Sequence, residues 1–393
     1  MSEQLHYFNS PAGCAAVALP FDYRQAIADW AALRNRMVKA VPPAFTRDEW
    51  AYLVAFLEPG NLEKPFIESF GTPLDSPAGA LNVLYRPRGG IAVWLPNNVS
   101  LLGPLTLVLL SLTGQPIRLK LGSAAEDLTG AFLDYAMANL PDGALARALG
   151  NGVLAVSFER DDPRHAEWAQ AARVRIVFGG DQAARAIHQL PHPLDSVGFS
   201  FTDRQSEAWL EPGAIDERVV ETLLKVFAIY GQAGCTSPKR VILLNASQQD
   251  AHDLRDRLLD AWPRVLPGET PMHVASETLM AEQWARALGW APLRAPGNAG
   301  LLASGAAGLQ AFEAQMALRI QAATVEQALA GLPPNIQTVG HALEHPEDPA
   351  WQRRLAGSRI LRFVPLGEMH YFGSRWDGQD FWRQCFETVE IGR

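Results

Sequence analysis

Between about residues 80 and 205, short apolar runs alternate with helical segments, and that alternation restricts the chain to few folds. IAVWL, PIRLKL, GVLAVSF, VRIVFGG and SVGFSF read as strands; EDLTGAFLDYAMANL, WAQAA and DQAARAIHQL read as helices among them. Strands joined through helices pair in parallel, so the expected core is a doubly wound sheet with helices on both faces. The most apolar stretch, residues 99–114, is shorter than the ~20 residues a bilayer span needs and contains Pro104. It reads as a buried helix.

Other segments extend the same organisation. DYRQAIADWAALRNRMVKAV and FTRDEWAYLVAFL form a helical leader, the second opening with a Thr46-x-x-Glu49 capping box. A second α/β stretch starts at the helix ERVVETLLKVFAIY and includes the strand RVILLN, the helices SQQDAHDLRDRLLDAW and MAEQWARALGW, Gly/Ala-rich loops, and the strands IQTVG and ILRFVPL. The tail WDGQDFWRQCFETVEI reads as a helix followed by a short strand. The expected division is 1–208 for the leader and a cofactor domain, 209–366 for a catalytic domain, and 367–393 for a C-terminal tail.

Charge narrows the function classes. Net charge is −8 and the 34 basic residues are dispersed, so no basic stripe invites nucleic acid or an anionic membrane. Cys14, Cys235 and Cys385 are an odd, sparse set, unsuited to a disulfide framework and consistent with a reducing compartment. The first residues lack a basic region followed by an apolar one, so the expectation is a cytoplasmic protein without a membrane span.

The segment richest in chemistry is GQAGCTSPKR, residues 231–240, between an amphipathic helix and an apolar strand. Small neighbours leave the Cys235 sulfur accessible and let a substrate carbonyl approach the backbone. If Cys235 begins a helix, its amide and the local dipole favour a thiolate, and Lys239 and Arg240 would assist. A cysteine in such a turn also serves as a small hydrophobe.

GQAGCTSPKR resembles the nucleophile segment of the aldehyde dehydrogenase superfamily, and its Cys-Thr-Ser-Pro portion is closer to the acyl-CoA reductase branch, typified by the fatty-acid reductase of bacterial bioluminescence. Three further segments fall in the same order: LPNNV at 95–99, IRLKLGS at 117–123 and VFGGD at 177–181. RFVPLGEMHYFGSRWDG near the C-terminus is also similar to that branch. The resemblance implies an α/β protein of aldehyde dehydrogenase-like architecture, a Rossmann-type cofactor domain joined to an α/β catalytic domain. It implies Cys235 as covalent nucleophile, with the Asn98 amide and the Cys235 N–H stabilising negative charge on the substrate oxygen. Lys120 and Ser123 would contact the cofactor, and Phe178, Gly179 and Gly180 would form the turn beside its pyrophosphate. The implied cofactor is NADPH, with NADH open; the implied substrate is an acyl-CoA or acyl-carrier-protein thioester. The tail is implied in homo-oligomer assembly.

Each residue has a plainer role beside this one. Asn98 suits a loop cap after a strand, Lys120 an exposed strand end, and Gly179–Gly180 an ordinary turn. No G-x-G-x-x-G follows a strand, which the resembled superfamily does not require. One departure favours reduction of a thioester over oxidation to an acid. Hydrolytic members have a water-activating glutamate in Glu-Leu-Gly-Gly, whereas HPLDSVGFSFTDRQ has Ser200 near that place and Asp203 as the next carboxylate. The alternatives are an aldehyde dehydrogenase forming acid or acyl-CoA, and a cysteine acyltransferase without redox activity. His341 and His345 are not in H-E-x-x-H order, so no metal site is expected. Trp94 and Trp290 are expected in the core, Cys14 in a mobile N-terminal segment and Cys385 in the tail helix.

Overall fold

The computed structural model describes residues 3–96, 98–122, 128–268 and 270–392. The chain divides into two compact units: residues 1–202 with 372–393, and residues 203–371.

The first unit contains β1 (Gln4–Ser10), β2 (Gly13–Leu19), α1 (Tyr23–Met37), α2 (Arg47–Phe56), α3 (Pro59–Phe70), β3 (Thr72–Leu74), β4 (Leu81–Pro87), β5 (Ile91–Trp94), α4 (Leu102–Ser111), β6 (Ile117–Leu121), α5 (Leu128–Asn139), α6 (Ala144–Gly152), β7 (Val153–Ser157), α7 (Arg164–Ala171), β8 (Val174–Phe178), α8 (Asp181–His188) and β9 (Val197–Phe201). The second contains β10 (Gln205–Leu210), α9 (Glu217–Ala228), β11 (Pro238–Leu244), α10 (Gln248–Val265), α11 (Met272–Ala287), β12 (Ala291–Arg294), β13 (Leu301–Gly305), β14 (Ala317–Ala323), α12 (Val325–Ala330), β15 (Ile336–Ala342), α13 (Pro349–Ala356) and β16 (Arg362–Pro365). The last strand, β17 (Phe386–Glu390), returns to the first unit.

In the first unit the expected doubly wound sheet has the order β7-β6-β5-β8-β9, parallel throughout. The chain runs outward from β5 through β6 to β7, then crosses to β8 and β9, so the order reverses beside β5. Every residue from Gly103 to Ser111 in α4 is buried. The capping box is present, Thr46 accepting from the Glu49 N–H and Glu49 from the Thr46 N–H. A second sheet, β17-β4-β2-β1-β3, was not expected at the N-terminal end. There Cys14 is a buried residue of β2, because GCAAVAL packs small apolar side chains inward. Cys385 lies in a 3-10 turn and not a helix, fully buried, and β17 follows at once.

The second unit is built on the sheet β12-β13-β14-β11-β10-β15-β16, parallel except for the β12–β13 pair. One face packs Val241, Leu243, Leu318 and Ile320 against α9 and α10. The other packs Trp209, Ile242 and Leu244 against α12 and Trp351 of α13. Trp94 and Trp290 are both buried, as expected. Among the described residues no helix is long and apolar enough to cross a membrane.

Candidate active site

Cys235 lies in the turn between α9 and β11, which the chain enters through an unusual backbone. Tyr230, Gly231 and Gln232 have φ of 53°, 58° and 62°, three left-handed residues in a row, two of them not glycine. Each non-glycine position of this kind costs about 1–2 kcal/mol. The buried Gln232 side chain offsets that cost. Its Nε2 donates to the carbonyls of Pro238 (3.0 Å) and Ala317 (2.8 Å), while its Oε1 accepts from the Ala317 N–H (3.0 Å). Lys239 Nζ donates to the Gln232 carbonyl at 3.0 Å.

The cysteine turn itself is closed by the Ser237 N–H donating to the Gly234 carbonyl at 3.0 Å. Ser206 Oγ, from β10, donates to the Cys235 carbonyl at 2.7 Å. Thr236 Oγ1 lies 2.6 Å from His370 Nδ1, and His370 Nε2 lies 2.8 Å from the Val226 carbonyl. A carbonyl only accepts, so Nε2 bears the proton, Nδ1 accepts, and the Thr236 hydroxyl donates. Gly234, Thr236, Ser237 and Pro238 are buried while Cys235 is partly exposed. Cys235 is therefore a partly exposed residue between buried neighbours in a turn fixed on both sides.

Cys235 does not begin a helix, so the helix-dipole argument fails. Pro238 starts a strand directly after the turn, leaving no room for a helical one. Lys239 is committed to the Gln232 carbonyl, and burial pushes its pKa down. Arg240 is paired with Glu207 at 2.6 Å.

The expected cofactor residues lie in the first unit at the carboxyl ends of the parallel strands. Lys120, the penultimate residue of β6, is level with Trp94 and Val156. Its Nζ lies 5.9 Å from the Phe158 ring, and burial lowers its pKa despite Glu159 nearby. Phe178 ends β8 and packs on Phe201 with ring centroids 4.9 Å apart. Gly179 has φ of +154°, strained for a side-chain-bearing residue, and its N–H donates to the Phe201 carbonyl at 3.1 Å. Gly180 is the N-cap of α8. Asn98 is exposed, four residues beyond the end of β5. The fold thus places Lys120, Phe178, Gly179 and Gly180 at the carboxyl ends of β6 and β8, the strands that flank β5, with Asn98 in the loop after β5, at the reversal of strand order where open α/β sheets bind ligands. Ser123 lies outside the described residues. Cys235 belongs to the other unit.

The model of the family described as Acyl-CoA reductase (LuxC) matches residues 51–281, more than half of the chain. The chain belongs to that family. It is accordingly an oxidoreductase acting on aldehyde or acyl groups. A search of the curated proteins found no match to this LuxC-family chain. Among solved structures, an aldehyde dehydrogenase from Bartonella henselae is similar with a TM-score of 0.63 and 11% identity, over 100% of this chain and 99% of that one. An NAD-dependent benzaldehyde dehydrogenase from Corynebacterium glutamicum gives 0.62 and 11%, over 94% and 85%. Proline utilization A from Bradyrhizobium japonicum gives 0.64 and 12% over 95% of this chain, which spans only 43% of that protein's length. At these identities the likeness is one of fold, and the fold is that of the aldehyde dehydrogenases.

For this LuxC-family chain, sequence reading missed Gln232, Thr236, Ser206 and His370 as supports of the turn. Gln232 and Thr236 stood inside the motif, but nothing local distinguishes a polar residue that braces from one that reacts. Ser206 and His370 meet the turn only through tertiary folding. Burial holds the pKa of His370 to about 4, below the ordinary 6.5. Above pH 6.5 the imidazole is neutral folded or unfolded and adds no pH dependence. Between pH 6.5 and 4 the unfolded chain binds the proton more readily, so stability is lost as pH falls, by at most about 3 kcal/mol. Urea unfolding across that window should show the slope, and His370→Gln should flatten it; an unchanged slope in the variant would assign the effect elsewhere.

Proposed function

We propose that the chain reduces an acyl thioester, of CoA or a carrier protein, to the aldehyde, with Cys235 as covalent nucleophile and NADPH as hydride donor. The observation that supports this most is the Cys235 turn: a partly exposed cysteine in a hydrogen-bonded, largely buried frame, in a chain of the acyl-CoA reductase family. The Cys235 thiolate attacks the thioester carbonyl carbon, forming a new C–S bond as the carrier's C–S bond breaks and its thiolate leaves with a proton. When bound, a reduced nicotinamide supplies the hydride that turns the acyl group into a thiohemiacetal. Breaking the Cys235 C–S bond then releases aldehyde and regenerates the thiolate. Asn98 Nδ2 and the Cys235 N–H are the proposed donors to the oxygen that gains charge.

The residues at these strand ends suit a dinucleotide. Gly179 permits close approach of backbone to phosphate, and α8 begins directly after Gly180, where backbone N–H groups favour an anion. Lys120 provides the cation for a ribose hydroxyl or 2′-phosphate. Ser200, near the position of the hydrolytic glutamate, is hydrogen-bonded to His188 Nε2 at 2.6 Å and offers no carboxylate to activate water.

The direct test is NADPH consumption with aldehyde trapping over a panel of acyl-CoA chain lengths, repeated with acyl-carrier-protein thioesters. Aldehyde formed in proportion to NADPH used supports the reading; aldehyde consumption with NADP⁺ and no thiol would favour the oxidising alternative. Asn98→Ala should lower kcat by about 10²–10³-fold with the thermal midpoint unchanged; a loss below threefold would remove Asn98 from the mechanism. Lys120→Ala should raise KM for NADPH by roughly tenfold and for NADH much less, and equal effects would argue against a 2′-phosphate contact.

A further inference from the structure

Arg362 opens β16, the edge strand of the second unit's sheet, and the chemistry described above does not use it. Its guanidinium turns to the loop that follows the strand. Nη1 donates to the Met369 carbonyl and Nη2 to the Tyr371 carbonyl, each at 3.1 Å. The Glu368 carbonyl and Thr338 Oγ1 lie further out, both at 3.4 Å. Residues 369 and 371 flank His370, so one planar fork grips the backbone on both sides of that imidazole. Leu366–Glu368 is a 3-10 turn, and residues 369–371 belong to no helix or strand. Their carbonyls therefore need a partner from elsewhere, and the fork supplies it.

Packing seats the same loop. Met369 is fully buried, and a Cβ added to Gly340 of β15 would lie 2.3 Å from its Sδ and 2.4 Å from its Cγ. The loop fits there because residue 340 has no side chain. Thr338 and Gly340 are in register with Ser206 and Ala208 of β10, so the loop covers the face from which Ser206 holds the Cys235 carbonyl.

From this loop the path to the nucleophile turn is short. His370 accepts from the Thr236 hydroxyl at 2.6 Å and donates to the Val226 carbonyl at 2.8 Å, and Thr236 is the neighbour of Cys235. We infer that Arg362 is a positioning residue for Cys235: by straddling His370 it fixes the bond to Thr236, and with it the joint placement of the Cys235 sulfur and N–H toward one substrate carbonyl. The inference rests on the reading of Cys235 as nucleophile. A lysine would keep the charge without the fork, because an ammonium cannot hold two carbonyls in fixed geometry. A misplacement of about 1 Å at a reacting group is enough to cost about 10²-fold in rate.

The test sets two reactions of the full chain side by side, both followed by intact mass. Acylation by the thioester panel above needs sulfur and N–H to converge on a carbonyl, whereas alkylation by iodoacetamide needs only a reachable thiolate. Arg362→Lys should slow acylation by roughly 10–10²-fold, with KM for the thioester within about twofold, and leave alkylation within about threefold. Gly340→Ala displaces the loop through Met369 and should reproduce that pattern, which decides the matter if Arg362→Lys does not fold. In Thr236→Val, where the link to His370 is cut, adding Arg362→Lys should cost less than about threefold more. Acylation at the wild-type rate in Arg362→Lys, equal loss of acylation and alkylation, or losses that multiply in the double variant overturn the inference. A wild type alkylated at Cys235 but acylated by no thioester fails the nucleophile reading itself, and this inference with it.

Discussion

Cys235→Ala is expected to abolish acyl-enzyme formation and to lower thioester reduction by roughly 10⁴-fold or more, the usual scale for removing a covalent nucleophile. Folding should be little affected, with a stability change within about 0.5 kcal/mol, since the residue is partly exposed and the turn is held by other groups. Intact mass after incubation with acyl-CoA provides the reading: one acyl group on the wild type, none on the variant. The other two cysteines offer little competition, Cys14 being 6% exposed and Cys385 fully buried, its thiol pKa pushed far up by burial. An adduct that persists in Cys235→Ala would sink the assignment. An adduct on the wild type without oxidation of NADPH or NADH would support the acyltransferase alternative.

The second large effect concerns stability. Glu207, Arg240 and Arg319 lie in register across β10, β11 and β14, a row of one acid and two bases within the sheet. The Glu207 side chain is 4% exposed, bonded to Arg240 at 2.6 Å and accepting from Trp209 Nε1 at 3.1 Å. Burial raises its pKa while Arg240 opposes the rise. Glu207→Ala leaves two neighbouring cations without their shared acid and should cost about 3–5 kcal/mol, read by urea unfolding. Glu207→Leu combined with Arg240→Met should recover most of that, because the desolvation cost disappears with the charges. A loss below about 1 kcal/mol in Glu207→Ala would mean the row is solvated enough to be dispensable.

The same row explains which parts of the fold were legible from the residues. Strands β5 to β9 alternate with helices and are rich in Val, Ile and Phe, so their texture announces them. β10 lies between β11 and β15 in its sheet, yet it begins Gln-Ser-Glu and is not among the strands the sequence pattern names. Ser206 and Glu207 are buried because distant partners satisfy them, and no local pattern reports that. β13 and β14, written LLASG and ALRIQAA, were hidden in the same way by alanines and glycine. The tail WDGQDFWRQCFETVEI reads as a helix and then a short strand; the strand is β17, but ahead of it the chain makes a compact turn in which Trp382 donates its indole N–H to the Leu109 carbonyl at 2.9 Å. In the candidate site, the motifs pointed to Cys235 and to the strand ends at Lys120 and Gly179, the residues proposed here for chemistry and cofactor. What braces the turn came only with tertiary structure.

The pairing of β17 with β4 has a consequence for how the protein is made. Arg86 and Glu387, joined across that pair at 2.9 Å, are 301 residues apart in sequence. At a translation rate of about 5–20 residues per second, β4 emerges from the ribosome about 15–60 s before its outer neighbour exists. Throughout that interval β4 is an unpaired edge, a template for wrong partners. The second unit, a single continuous segment, is synthesised entirely within the wait. Nascent chains stalled before residue 386 should therefore bind chaperone or aggregate through β4, and release should be tied to the arrival of the closing strand.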